Sequence, residues 1–313
     1  YDRLQSKQNT HADANVIIVL FESLESWVVN TKIEGQTITP NINALINDSN
    51  TSYIKHIAPQ VSMGKSSDAQ LIILTGLLPV NQGVTAMRYM HNTFPSLALA
   101  SGAEYKKIYI PTPASAWNQE AMTHAYGFDS LYAKTTSDRM LVYQVLDDIQ
   151  KQESFFVLMT TMASHVPFKQ YADSSSLSLP SHTKHADYLR TVHYTDQCLK
   201  PLIDYCRSTS HKPTLLVITG DHTTLSDTMS HTVPLIMYAP QKRLQTDDQK
   251  NYQIDIYPTL LQTMQCQDYY WQGVGVSWFD RNKERLANEQ EVSNMLIMTD
   301  YFRNYQSQNE CSH

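Results

Sequence analysis

Leu215-Leu216-Val217-Ile218-Thr219-Gly220-Asp221-His222 is the stretch from which the fold of this 313-residue chain is read. An unbroken apolar run that ends in Gly-Asp-His has the pattern of a strand buried on both faces. Gly220 is expected to let the chain turn sharply as it leaves the sheet. Asp221 and His222 then emerge at the carboxyl end of the strand, where open α/β sheets place their ligands. A carboxylate beside an imidazole suits a borderline cation such as zinc or manganese. Taken alone, an Asp-His pair is more often a turn aspartate and a surface histidine. Its meaning depends on what the rest of the chain brings to it.

A second buried strand is read at Asn15 to Phe21, and it too ends in a carboxylate, Glu22 of Glu22-Ser23-Leu24-Glu25-Ser26. Thr39-Pro40 opens a helix, with Thr39 as N-cap and proline at the first helical position. The small polar run Ser62-Met63-Gly64-Lys65-Ser66-Ser67-Asp68 precedes Leu71-Ile72-Ile73-Leu74, which places Ser66 near the start of a helix, where free amides favour an oxyanion or phosphate. Further helices are expected over 94–100, 137–150, 254–264 and through Leu189, Val192, Leu199, Leu202 and Ile203. Further strands are expected over 107–110, 155–160 and 233–238, and a Ser-rich loop over 173–181. Residues 268–313 are aromatic and polar and are read as a short C-terminal sheet and tail. The alternation gives an α/β fold with a largely parallel central sheet and helices on both faces. Residues 1–14 are a lead-in from an upstream segment, and 15–313 form one domain.

The net charge of −6 and the scattered basic residues exclude a nucleic-acid footprint. No apolar run is long enough to cross a bilayer. The chain opens on Tyr1-Asp2-Arg3, so it is expected to be cut from something longer that carries a signal or anchor. Cys198, Cys206, Cys266 and Cys311 have no Cys-x-x-Cys spacing, which argues against a cysteine metal site. Cys198 and Cys206 fall on one helix about 12 Å apart at 1.5 Å per residue, too far for a disulfide.

Glu22 and Asp221 both follow buried strands, so neighbouring strands could bring them together. With His222 they would make a three-ligand site with an open position. A serine hydroxyl such as that of Ser66 is a weak nucleophile until a cation lowers its pKa and holds it in line. Either His165 or His231 could protonate a leaving group or hold a phosphate oxygen.

Together these stretches resemble a known family. The ordered set is Val-Leu-Phe-Glu22-Ser, Gly64-Lys65-Ser66-Ser67-Asp68, Trp117-Asn118, Ser164-His165-Val-Pro-Phe168 and Gly220-Asp221-His222. It is similar to the extracellular catalytic domain of lipoteichoic acid synthase, in the sulfatase-like branch of the alkaline phosphatase superfamily. The resemblance implies that superfamily's fold and one divalent cation, manganese in that family, with magnesium, zinc or calcium as alternatives. It implies Glu22, Asp221 and His222 as ligands, joined by Ser66, which stands where the family usually has a nucleophilic threonine. His165 matches a histidine that contacts the substrate phosphate, and Trp117, followed by Asn118, matches a tryptophan lining a glycerol-phosphate pocket. The implied chemistry is phosphoglycerol-type transfer, or phosphodiester cleavage, on a phospholipid or glycan head group. It would proceed through a phosphoserine at the outer face of a bacterial membrane, with an N-terminal segment as the anchor.

The sequence departs from the family pattern at two places. Gln119 stands where the family has an arginine, which would remove a bidentate phosphate clamp. Ile110-Pro111-Thr112 also offers no match to a family histidine. Ser62 and Ser66 lack the Cys/Ser-x-Pro-x-Arg context of formylglycine sulfatases, which disfavours a formylglycine enzyme. Phosphoethanolamine transferases, with His231-Thr232-Val233-Pro234 playing their histidine part, or sulfuric ester hydrolases remain the alternative of the same superfamily. The alternative of another class is a silent metal-binding sensor module.

Overall fold

The computed structural model describes residues 12–228, 230–239, 251–280 and 282–310. Most of the expected lead-in, as well as Cys311, lies outside the described residues. In chain order the elements begin with β1 (Asn15–Phe21), β2 (Lys32–Ile33), β3 (Gln36–Thr37), α1 (Pro40–Ile46), β4 (Thr51–Ala58) and α2 (Ser66–Thr75). They continue with α3 (Thr85–Arg88), α4 (Leu97–Ala100), β5 (Tyr105–Ile110), α5 (Gln119–Ala125), β6 (Ser130–Ala133), α6 (Asp138–Ile149) and β7 (Phe155–Thr160). The rest is α7 (Ala186–Arg207), β8 (Thr214–Gly220), β9 (Val233–Tyr238), β10 (Asn251–Tyr252), α8 (Ile256–Thr263), α9 (Glu289–Met298) and α10 (Tyr301–Glu310).

The central sheet has the order β10-β4-β9-β8-β1-β7-β5-β6. Every neighbouring pair is parallel except the two that involve β9, so β9 alone runs against the rest. The expected largely parallel sheet is therefore present. β1 and β8 are buried along their whole length, which is why both read as unbroken apolar runs. Successive β1 side chains point to opposite faces. Val16, Ile18 and Leu20 enter one core with α2, α4, α8, α9 and α10. Ile17, Val19 and Phe21 enter the other with α1, α6 and α7.

The expected small sheet exists, but it is the antiparallel β2–β3 pair near the amino end. Residues 268–313 do not form it: the described part carries α9 and α10. Their aromatic residues pack as a cluster, with Trp271 against Phe302 at 5.0 Å and Tyr270 against Tyr305 at 5.5 Å between ring centroids. The helix expected over 94–100 is shortened to α4, because Ser96 caps it by accepting from the N–H of Leu99 at 3.2 Å. Thr39 does precede α1, but the free amides there are capped by Asp196, which accepts from the N–H of Asn41 at 3.1 Å and of Ile42 at 2.9 Å. Cys198 and Cys206 lie on α7 as free thiols. Among the described residues no helix is long and apolar enough to cross a membrane.

Candidate active site

The parallel strands deliver their following residues to one edge of the sheet. In the β1–β8 register Phe21 stands opposite Gly220, so Glu22 and Asp221 leave side by side. The chain bends at Asp221 as it leaves β8, and Gly220 meets a packing demand as well: a Cβ there would lie 2.2 Å from the carbonyl oxygen of Leu24. It lets two backbones approach closely. β4 ends at the same edge, and the loop that follows it leads to Ser66 at the start of α2.

Glu22, Asp221 and His222 are buried, and each offers a ligand atom within 4.8 Å of the others. His222 Nε2 stands 3.7 Å from Glu22 Oε1 and 3.5 Å from Asp221 Oδ2. The Ser66 hydroxyl donates to Glu22 Oε2 at 3.2 Å and lies 3.4 Å from His222 Nε2. Asp221 Oδ2 is buried and accepts no hydrogen bond among the described residues. Burial, and then the neighbouring charge of Asp221, push the Glu22 carboxyl well above the ordinary carboxylate range. Two crowded carboxylates, an orphaned oxygen and an inward-facing imidazole nitrogen fit one divalent cation, with the serine hydroxyl beside it.

The surroundings fix these groups. Ser23 has φ +54°; its N–H donates to Asp221 Oδ1 at 2.8 Å and its hydroxyl to Glu22 Oε1 at 2.8 Å. His222 Nδ1 faces Thr223 O at 3.3 Å and Thr224 Oγ1 at 3.4 Å, which leaves Nε2 turned toward the carboxylates. Before Ser66, Asp68 Oδ2 accepts from the N–H groups of Ser62 and Gly64, both at 2.9 Å. Burial raises the Asp68 carboxyl and those two amides oppose the shift. Ser23, Lys65, Trp117, Asn118 and Phe168 all have φ between +48° and +66°, so left-handed backbone clusters on the loops at this edge.

Among the described residues no hydrogen bond joins the other expected site residues, Trp117, Asn118, His165 and His231, to this cluster. Trp117 is 39% exposed on a tight turn after β5. Asn118 Nδ2 donates to Ala86 O at 3.2 Å and meets Met87 Sδ at 3.3 Å, which ties that turn to α3. His165 is exposed after β7 with Nδ1 against Val166 O at 2.8 Å, and His231 is exposed before β9. Gln119 is buried at 3% exposure, with Nε2 unpartnered among the described residues. It points into the fold, so it does not stand in for a phosphate clamp.

Sequence reasoning missed the residues that hold the site together. Thr161 Oγ1 accepts from the Glu22 N–H at 3.0 Å, and the Ser164 hydroxyl donates to Glu22 O at 2.5 Å. The Tyr188 hydroxyl donates to Ser23 O at 2.8 Å, and the Glu25 and Asp138 carboxylates hold neighbouring loops. The available signal was their polarity next to strand ends or on otherwise apolar faces.

Two buried acids, an imidazole and a serine thus meet at the carboxyl edge of a mostly parallel α/β sheet. The chain belongs to the sulfatase family, whose profile matches residues 14–266. It is 27% identical over 234 residues to lipoteichoic acid synthase 2 of Bacillus subtilis (strain 168), covering 68% of this chain and 36% of that protein. The chain thus spans little more than a third of that relative's length. Its fold is that of the lipoteichoic acid synthase LtaP from Listeria monocytogenes, with a TM-score of 0.75 at 23% identity over 88% of this chain and 79% of that one. It is also similar to the Streptococcus pyogenes phosphoglycerol transferase GacH in complex with sn-glycerol-1-phosphate. There the TM-score is 0.64 at 17% identity, over 94% of this chain and 87% of that one.

Proposed function

We propose that this domain transfers a phosphoglycerol-type group from a phospholipid to an alcohol acceptor, with Ser66 as nucleophile and manganese held by Glu22, Asp221 and His222. The observation that carries the reading is the Ser66 hydroxyl within 3.4 Å of both Glu22 Oε2 and His222 Nε2, beside the orphaned Asp221 Oδ2. The bound cation would lower the pKa of the Ser66 hydroxyl and neutralise charge on the phosphoryl oxygens.

The chain's own residues supply the rest. Glu22 Oε2 orients the Ser66 hydroxyl by accepting its hydrogen bond. The Ser66 oxygen loses its proton and forms a bond to phosphorus, the phosphorus–oxygen bond to the lipid alcohol breaks, and the departing oxygen takes up one proton in exchange for the one Ser66 gave up. His165, on the loop after β7, faces the phosphate or that leaving oxygen. Attack by an acceptor alcohol then breaks the Ser66–phosphorus bond and restores the hydroxyl. Trp117 lines the outer part of the pocket, with His231 on its rim. Membrane attachment through an upstream segment and work at the outer face of a bacterial membrane follow from the same reading, as does a lipid or glycan head group as substrate.

The test is incubation with Mn²⁺ and phosphatidylglycerol, followed by mass spectrometry of the peptide containing Ser66. A glycerol-phosphate adduct on Ser66 is expected, with none on Ser66→Ala. Full turnover by Ser66→Ala sinks the proposal.

A further inference from the structure

Two buried carboxylates outside the proposed ligand set each hold a loop at the carboxyl edge of the sheet. Glu25 Oε1 accepts from the N–H groups of Thr224 at 3.0 Å and Leu225 at 2.8 Å, just after His222. Asp138, the first residue of α6, does the same for the loop after β7. Its Oδ1 accepts from the N–H of Met162 at 2.8 Å, and its Oδ2 from the N–H of Ala163 at 3.1 Å and the Thr195 hydroxyl at 2.7 Å. Asp138 is 1% exposed. α6 does not need this carboxylate as a cap, because the Ser137 hydroxyl oxygen already accepts from the N–H of Met140 at 3.3 Å. The carboxylate is committed to the loop.

That loop has a function on each side of the two bound amides. Upstream, Thr161 Oγ1 accepts from the Glu22 N–H, and downstream the Ser164 hydroxyl donates to Glu22 O, so the loop grips the peptide groups of Glu22. The next residue is His165, whose N–H donates to Met162 O at 3.0 Å. Three donors, two of them buried, converge on Asp138, and only a group that accepts on both oxygens satisfies all of them. An asparagine would present its NH₂ to at least one of them.

We propose that Asp138 is a positioning residue for phosphoryl transfer: its carboxylate fixes the Met162–Ala163 amides and thereby the place of His165. The proposal rests on the reading of His165 as the group that faces the substrate phosphate. Asp138 touches no reacting atom and acts through the loop.

The experiment compares wild type, Asp138→Asn, His165→Ala and the double variant, with Mn²⁺ in the buffer and bis(4-nitrophenyl) phosphate as the probe. Hydrogen exchange is followed on the peptide covering 161–168. Asp138→Asn is expected to speed exchange at Met162 and Ala163 and to lower kcat/KM roughly tenfold. In the His165→Ala background it should cost less than about twofold, because residues that act through one another are not additive. An equal loss in both backgrounds overturns the proposal, as does unchanged exchange at Met162 and Ala163. Wild-type turnover by His165→Ala alone overturns the reading of His165, and the proposal with it; that failure is visible in the single variant. If Asp138→Asn does not fold, Thr195→Val removes one of the three donors and keeps both amide bonds. It should then show a smaller acceleration of exchange, and additivity with His165→Ala overturns the proposal.

Discussion

The main-chain N–H of Ser23 donates to Asp221 Oδ1 at 2.8 Å while the Ser23 hydroxyl donates to Glu22 Oε1 at 2.8 Å, so one residue orients both carboxylates of the proposed metal site. Ser23→Ala keeps the first bond and removes the second. Partners of metal ligands are worth about 10–100-fold in affinity when lost. Manganese titration is expected to show a Kd raised roughly tenfold, with the melting of the metal-free protein unchanged. An unaltered Kd would mean that Ser23 holds Asp221 alone.

Asp221 Oδ2 is buried without a hydrogen bond beside Glu22, whose carboxyl is pushed up by burial and by the charge of Asp221, so a cation would suit the site better than none. Manganese at 100 times its Kd should stabilise the fold by about 2.7 kcal/mol. At about 2.1 cal/mol/K of unfolding entropy per residue, that raises Tm by roughly 4 °C for a chain of this length. Asp221→Asn leaves Oδ1 for the amides of Ser23 and His222 and removes the neighbouring charge that helps raise the Glu22 carboxyl. Its metal-free Tm should match or exceed that of wild type, and the manganese shift should vanish. Calorimetry with and without EDTA checks both, and a retained shift would place the cation elsewhere.

The parts of this site that read from sequence are those that neighbouring strands dictate. β1 and β8 are buried on both faces and announce themselves as apolar runs, and the residue after each is placed by the register alone. β4 does not announce itself, because Lys55 and His56 are exposed and the register shifts between Ile54 and Ile57. The aromatic residues after 268 suggested strands, whereas they pack helices α9 and α10 onto the core. Asp138 and Glu25 were invisible for another reason. Each looks like an ordinary acid near a helix start or a strand end, and its role comes from amides more than twenty residues away in the chain. Gln119 stands by position where the family has an arginine, and after the positive-φ residues Trp117 and Asn118 its side chain is buried.

Gly64 lies against the acid that shapes the approach to Ser66. A Cβ on it would lie 2.3 Å from Asp68 Oδ1 and 2.7 Å from Ser67 Oγ. Asp68 cannot retreat, because its other oxygen holds the amides of Ser62 and Gly64. Gly64→Ala should therefore push the loop and Ser66 out of place. Overpacking of this kind costs about 1–3 kcal/mol, and a displacement near 1 Å at a nucleophile costs on the order of 100-fold in rate. Thermal melting and phosphodiester turnover are the measurements. Lost stability with full turnover would show that this loop does not set the position of Ser66.

Asp196 links α7 to the start of α1 and carries the pH dependence expected of the fold. Burial pushes its carboxyl up to about 6, against the bonds from Ile42 and Asn41. The sign follows from proton counting. Between the ordinary value of 3.8 and about 6 the folded protein holds a proton that the unfolded chain has lost. Stability therefore falls as pH rises through that window, by at most about 3 kcal/mol at 1.36 kcal/mol per unit, and this contribution is level above it. Asp196→Asn has no charge to bury, yet its amide can still accept from one of the two helix N–H groups. The variant should melt at a temperature that changes less between pH 4 and pH 6.5 than that of wild type. Metal-free protein with Glu22→Gln in both backgrounds removes the other strongly raised acid from the comparison. Parallel pH profiles for the two proteins would assign the dependence to other groups and leave Asp196 ionised throughout by its amide partners.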